Sequence, residues 1–261
     1  MKSIILSDKR MHEGKMKITF LGTNGWFDTD CGNTICTLIE TKTAYIILDA
    51  GNGIHKANRY IKKDIPVYLF LSHFHIDHIE GLHTLAKFNF KSLEIIGQTG
   101  TKVTIKEFLA PKYSIPVNKL PFPCNVIDIK DGWHKSPLKF QALPLVHASK
   151  CLGYRFEIDD KIISYCTDTG YCKNSEELSG NADLLISECA LLGKQTSNSW
   201  PHMNPQLSAK LALKSKVKKL VLTHFDAALY TTMAKREKTQ AQARFIFPET
   251  ISAYDGLRIV V

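Results

Sequence analysis

The sequence predicts an α/β protein of four layers, with two mixed β-sheets packed face to face and helices on the outside. Three observations carry that prediction. Short runs rich in β-branched and aromatic residues are separated by turn residues, as strands are. These runs alternate with helix-like segments in two successive halves of similar rhythm. One run, IPVYLFLS over 65–72, is apolar on both faces, as strands inside a covered sheet are.

The elements follow in order. KITFLGT (17–23), TICTLIET (34–41) and AYIILDAG (44–51) read as strands, and a helix at about 53–63 leads into the strand at 65–72. Helices are expected at EGLHTLAKF (80–88) and TGTKVTIKEFL (99–109), around a strand SLEIIG. The proline-rich stretch PKYSIPVNKLPFPC (111–124) reads as connector. The second half places strands at LKFQALPLV, LGYRFEID and KIISYCT. ADLLISEC, a helix opening at NPQLSAKLALKS, and KKLVLTHF come next. Asn204 suits the N-cap of that helix, and Pro205 suits its first position. A last helix over about 226–242 and a strand GLRIVV close the chain. No linker or low-complexity segment divides the halves, so residues 16–261 read as one domain. Residues 1–15 read as a loose tail or an upstream start, because the first convincing strand begins at Met16.

Composition narrows the class. With 261 residues, 44% of them hydrophobic, the chain can bury a substantial core. No apolar run is long enough to span a bilayer, and the N-terminal apolar stretch is too short for a signal peptide. The seven cysteines form no CxxC pair and no regular framework, which fits free thiols in a reducing cytoplasm better than a disulfide-held secreted domain. The formal net charge of +9 favours anionic partners such as nucleic acid or phosphorylated metabolites, and equally suits a lysine-rich surface that keeps the chain in solution.

The chemistry concentrates in LFLSHFHIDHIEG (69–81). Imidazoles beside a core are costly unless something pairs with them. Side chains two apart on an extended segment point the same way, so His73, His75 and Asp77 share a side as the strand runs out, and His78 follows as the chain turns. His147, Asp168 and His224 each close another apolar strand. Five histidines and two aspartates are too many for one tetrahedral ion. A carboxylate has two oxygens and can bridge a pair of ions, whereas a neutral imidazole offers one free lone pair. Asp168 is the expected bridge.

The set SHFHIDH, LVH, YCTDTG and LTHF, together with KITFLGTNGWFDTDCGNT and LDAG, resembles the metallo-β-lactamase superfamily from Met16 onward. Within it, the all-histidine loop and LTHFD are similar to the ribonuclease Z and phosphodiesterase branch. The resemblance implies that His73, His75 and His147 hold one divalent metal ion and that Asp77, His78 and His224 hold a second, with Asp168 between them. The mixed ligand set suits zinc first, with manganese or iron also compatible. Asp49, closing YIILD, matches a family aspartate near the metals, where it would accept a ligand imidazole's other N–H. LLISECALLG and SWPHMNPQLSAKLA resemble the branch's segment in which a glutamate orients a histidine; here these are Glu188 and His202.

These residues imply hydrolysis of a phosphodiester, in which a water activated between two ions attacks phosphorus and His202 protonates the departing oxygen. An alkoxide leaves poorly unless protonated, whereas a thiolate needs no such acid. Ribonuclease Z proteins that mature tRNA carry a long arm between the third histidine motif and the bridging aspartate. Here His147 and Asp168 are separated by ASKCLGYRFEIDDKIISYCT, room only for a hairpin. Cleavage of small or cyclic phosphodiesters is therefore the leading expectation. Ribonuclease Z-type tRNA 3′-endonuclease activity without the arm, other RNA cleavage, and lactone or thioester hydrolysis are the alternatives. No membrane partner is expected, and the oligomeric state stays open, a homodimer included.

Overall fold

The computed structural model describes residues 15–197 and 199–261, so the expected tail over 1–15 lies, Lys15 apart, outside the described residues. Two seven-stranded sheets dominate it. The first runs, in spatial order, Arg258–Val260, Lys17–Gly22, Cys36–Glu40, Tyr45–Leu48, Val67–Phe70, Leu93–Gln98 and Cys124–Ile129. The second runs Thr250–Ser252, Leu220–Thr223, Leu184–Glu188, Lys161–Cys166, Cys151–Ile158, Phe140–Leu145 and Gly132–His134. Each sheet pairs some neighbours parallel and others antiparallel: Tyr45–Leu48 is parallel to Val67–Phe70, while Cys151–Ile158 is antiparallel to Lys161–Cys166.

Strand alternation sorts the side chains into layers. Phe70 faces between the sheets, its ring 4.9 Å from those of Phe140 and Phe156 in edge-on contact. Leu69 and Leu71 face the other way, into a second apolar cluster with Leu85, Ile95 and Ile105. A third cluster covers the back of the second sheet, where Leu185 and Leu222 meet Ala209 and Leu211 of the helix Pro205–Lys214. Helix, sheet, sheet and helix are the four layers the sequence predicts.

The differences are local. The segment expected as a helix at 53–63 is a 3₁₀ helix over Asn52–Arg59, and most of 80–88 is likewise 3₁₀, Glu80–Lys87. The connector ends in an unanticipated strand, Cys124–Ile129, and a short helix Lys173–Ser179 and the strand Thr250–Ser252 were also unread. The last helix starts at Met233, not near 226. The segment between His147 and Asp168 is a bare hairpin turned by Asp159 and Asp160, both with positive φ. Among the described residues no helix is long and apolar enough to cross a membrane.

Candidate metal centre

The expected ligands gather along one edge of the sandwich, just beyond the C-terminal ends of strands. Asp49 follows Leu48, Asp168 lies two residues past Cys166, and His224 follows Thr223. Such strand ends are where sheets with parallel neighbours open their ligand crevice. Asp49 and His224 both hold left-handed backbone, φ 56° and 52°, a conformation uncommon in non-glycine residues though less so for aspartate and histidine.

The histidine loop differs in one respect from its expected shape. His75 is extended but is the N-cap of a single helical turn, Ile76–Ile79, so helix begins four residues sooner than expected. Alternation therefore orients only His73 and His75. Asp77 and His78 stand about 100° apart around the turn and reach a different space.

That divides the ligand atoms into two groups. His73, His75, His147 and Asp168 offer atoms that all lie within 4.8 Å of one another, and so do Asp77, His78 and His224. In the first, His75 Nδ1 is 3.3 Å from His147 Nε2, and Asp168 Oδ2 is 3.9 Å from both His73 Nε2 and His147 Nε2. In the second, His224 Nε2 is 3.1 Å from His78 Nε2 and 3.4 Å from Asp77 Oδ2. Asp168 reaches this group too, its Oδ2 3.5 Å from His78 Nε2 and its Oδ1 3.1 Å from His224 Nε2. It stands between the two.

Two observations show that these residues fit divalent cations. His73 Nε2 and Asp168 Oδ1 are buried with no hydrogen-bond partner, an expensive state for polar atoms unless a cation meets them. His78 Nδ1 donates to Asp49 Oδ2 at 2.8 Å, which turns its Nε2 toward His224 Nε2 as the atom a cation would take. Five imidazoles and two carboxylates suit zinc, iron or manganese.

Protonation favours ligation. Burial, reinforced by His78, holds His73 well below the ordinary imidazole range, and burial holds His147 down to about 4. Burial also resists charge on Asp77 and Asp168, but His78 and His224 outweigh it and keep both carboxyls below their usual range. Neutral rings and ionised carboxylates are the ligating forms. Burial likewise opposes charge on His78 and His224, yet Asp49 and Asp77 raise the first and Asp168 and Asp77 the second. A cation binding there displaces those protons.

Asp49 is wholly buried and does not cap the following helix, whose N-cap is Gly51. Besides His78 it accepts from Ser72 N (2.7 Å), Ser72 Oγ (2.8 Å) and Tyr165 Oη (2.6 Å). Ser72 Oγ in turn lies 3.0 Å from His73 Nδ1, so one carboxylate braces an imidazole of each group. Neither Ser72 nor Tyr165 was singled out in the sequence; the serine sits in a motif read for its histidines, and the tyrosine is 116 positions from its partner.

Glu188 and His202 meet as well. His202 Nδ1 lies 2.8 Å from Glu188 Oε1, and the buried carboxylate also accepts from the backbone of Thr169, Ala190 and Met203. Burial disfavours the imidazolium, but Glu188 overcomes it and lifts His202 to about 9. His202 belongs to neither of those two groups but forms a third with Asp168 and His224, whose atoms also lie within 4.8 Å of one another. His75, Asp77, His147, Asp168, His202 and His224 open onto a cavity of about 660 Å³, lined also by Gly25, Trp26, Ile76, Ser197, Trp200 and Asp226, while His73, His78 and Glu188 lie buried behind it. None of the described lining residues is lysine or arginine, so the lysine excess lies outside the cavity.

A sandwich whose strand ends assemble imidazoles and carboxylates into two adjoining cation-sized groups defines a metal-dependent hydrolase. Residues 44–225 match the family described as the beta-lactamase superfamily domain, and the chain belongs to that family. A ribonuclease Z of Acaryochloris marina is 26% identical over 310 aligned positions, covering 94% of this chain and 98% of its own. Those positions outnumber the 261 residues here, so that relative carries insertions this chain lacks. Among solved structures, the metallo-beta-lactamase fold protein YhfI from Bacillus subtilis superposes with a TM-score of 0.77 at 23% identity, covering 95% of this chain and all of its own. A diphosphatase of the PhnP family gives 0.71 at 20% identity, covering 94% and 97%.

Proposed function

We propose that this chain is a dinuclear metal-dependent phosphodiesterase, carried by one domain over 16–261, that cleaves small or cyclic phosphodiesters or RNA. In this reading His73, His75 and His147 would hold one ion, Asp77, His78 and His224 the other, and Asp168 would serve both. Divalent ions held there supply Lewis acidity, which acidifies water and neutralises charge on phosphoryl oxygens.

The observation that carries the reading is the His202–Glu188 couple at 2.8 Å beside both ligand groups. Glu188 keeps its partner protonated at neutral pH, and a protonated imidazole there can donate to a departing alkoxide, a contribution of about 10²–10⁴-fold. A thioester expels a stable thiolate and leaves that proton without a use. The lining fits a phosphodiester too: with no lysine or arginine among its described residues and with Asp226 present, it suits one phosphate charge at the ions and disfavours several.

A second reading, a ribonuclease Z-type tRNA 3′-endonuclease without the usual arm, is favoured by the ribonuclease Z relatives along nearly the whole chain. Against tRNA as the substrate stands the bare hairpin between His147 and Asp168.

The test is turnover of bis-p-nitrophenyl phosphate, a thioester and a lactone by protein loaded with Zn²⁺ or Mn²⁺, with a dinucleotide and a pre-tRNA alongside. Hydrolysis of the two small phosphodiesters and not of the carbon esters is expected. Turnover of the lactone or thioester alone would overturn the proposal.

A further inference from the structure

Two indoles stand at the mouth of the cavity. Trp26 is 67% exposed, and its backbone N–H donates to Asp77 Oδ2 at 2.7 Å, which fixes it on the side of the second ligand group. Trp200 is 52% exposed, with its ring 5.7 Å from that of His75 and 6.0 Å from that of His147, on the side of the first. Ile76 also lines the cavity and is 61% exposed. Tryptophan left in water at a concave site marks a place where a partner covers it.

The cavity, at about 660 Å³, has room for a ligand well beyond a bare phosphodiester. What lies beyond the phosphate meets two indoles together with Ile76, Ala190 and Leu191, and no lysine or arginine among the described lining residues, so a flat, uncharged group suits it better than a chain of further phosphates. A nucleobase has that shape, and every base offers a face on which an indole can stack.

Position along the reaction then follows. The ring of His202 lies 5.4 Å from that of His147, the histidine that Trp200 also borders. Trp200 and His202 thus border the same histidine, so a base resting on Trp200 lies on the side of the site that holds the group proposed to protonate the departing oxygen. We propose that Trp200 stacks on the base of the leaving nucleoside, making the substrate a nucleotidyl phosphodiester; this rests on the phosphodiesterase reading above. Trp200 is a specificity-determining residue in this account and takes no part in the bond exchange.

The experiment compares adenylyl-(3′→5′)-adenosine with the matched compound whose leaving ribose lacks its base. The ratio of their kcat/KM values is expected to exceed 1 in the parent enzyme. Trp200→Ala should lower that ratio about 10-fold, within the range set by loss of one stacked base, and Trp200→Phe should restore most of it. Saturable quenching of tryptophan fluorescence by adenosine 5′-monophosphate should weaken in parallel in Trp200→Ala. An oligoadenylate decamer run beside the dinucleotide separates an RNA end from a free dinucleotide as the source of the base, and the Trp200 dependence is required in whichever is hydrolysed. An unchanged ratio in Trp200→Ala, with dinucleotide still cleaved, overturns the stacking and leaves the phosphodiesterase reading intact. If no phosphodiester is hydrolysed, that underlying reading fails, and the fluorescence titration decides the stacking by itself.

Discussion

Asp49 Oδ2 lies 2.8 Å from His78 Nδ1, with neither side chain exposed to solvent. The contact sets the tautomer: the proton stays on Nδ1 and the lone pair on Nε2, facing Asp77, Asp168 and His224. Because Ser72 Oγ links the same carboxylate to His73 Nδ1, Asp49 also steadies the first group. Asp49→Asn should therefore weaken metal binding about 10- to 100-fold while leaving every proposed ligand in place. Competition with a chelator, read as ions bound per chain, checks this. Unaltered retention of both ions would remove Asp49 from the centre.

His202→Ala should act through the leaving group. With a dinucleotide, whose leaving alkoxide needs a proton, kcat is expected to fall about 10²–10⁴-fold. With bis-p-nitrophenyl phosphate, whose phenolate departs unaided, the loss should be much smaller. Metal content should not change, because His202 stands outside the two groups. Equal losses on both substrates would mean that His202 holds the site together and does not supply the proton.

The same couple fixes the sign of a pH effect. Glu188 lifts His202 to about 9 against the pull of burial, so the acid form is present at neutral pH and is lost as pH rises through that value. Dinucleotide kcat should accordingly show an alkaline limb at or below about 9, since bound cations push the imidazolium's pKa down. Glu188→Gln keeps an acceptor for His202 but removes the charge, and should shift the limb to lower pH. A limb that stays where it was in Glu188→Gln belongs to some other group.

Most of this centre was visible in the sequence because each candidate ligand ends an apolar run. A polar residue closing a buried strand is conspicuous, and Asp168 and His224 needed only the fold to bring them to His73. What stayed hidden depends on contacts between distant segments or on competing local bonds. Trp26 and Trp200 are 174 positions apart and meet only at the cavity rim. The last helix was placed seven residues too far upstream because Asp226 accepts from the backbone of Ala228 and Leu229, a turn that helix-like composition conceals. Cys124–Ile129 went unread because it follows prolines and keeps most of its residues only partly buried.

Gly25 offers the last test, because its role is to be absent of side chain. It pairs with Asp226 in a two-residue bridge, Asn24–Gly25 against Phe225–Asp226, and its open side faces the ring of His224. A methyl group there would overlap that ring at Cε1, Nε2 and Nδ1 together. The ring cannot retreat, since its own backbone is held left-handed and Phe225, the next residue, is wholly buried. Gly25→Ala should therefore displace His224 from Asp77 and Asp168, so that the second ion is bound weakly or lost while the first group, which does not touch Gly25, keeps its own. Metal analysis should move from two ions per chain toward one, with dinucleotide turnover falling about 10²-fold or more, the scale set by misplacing a group at the reacting centre. Two ions retained at full affinity in Gly25→Ala would show that His224 does not hold the second.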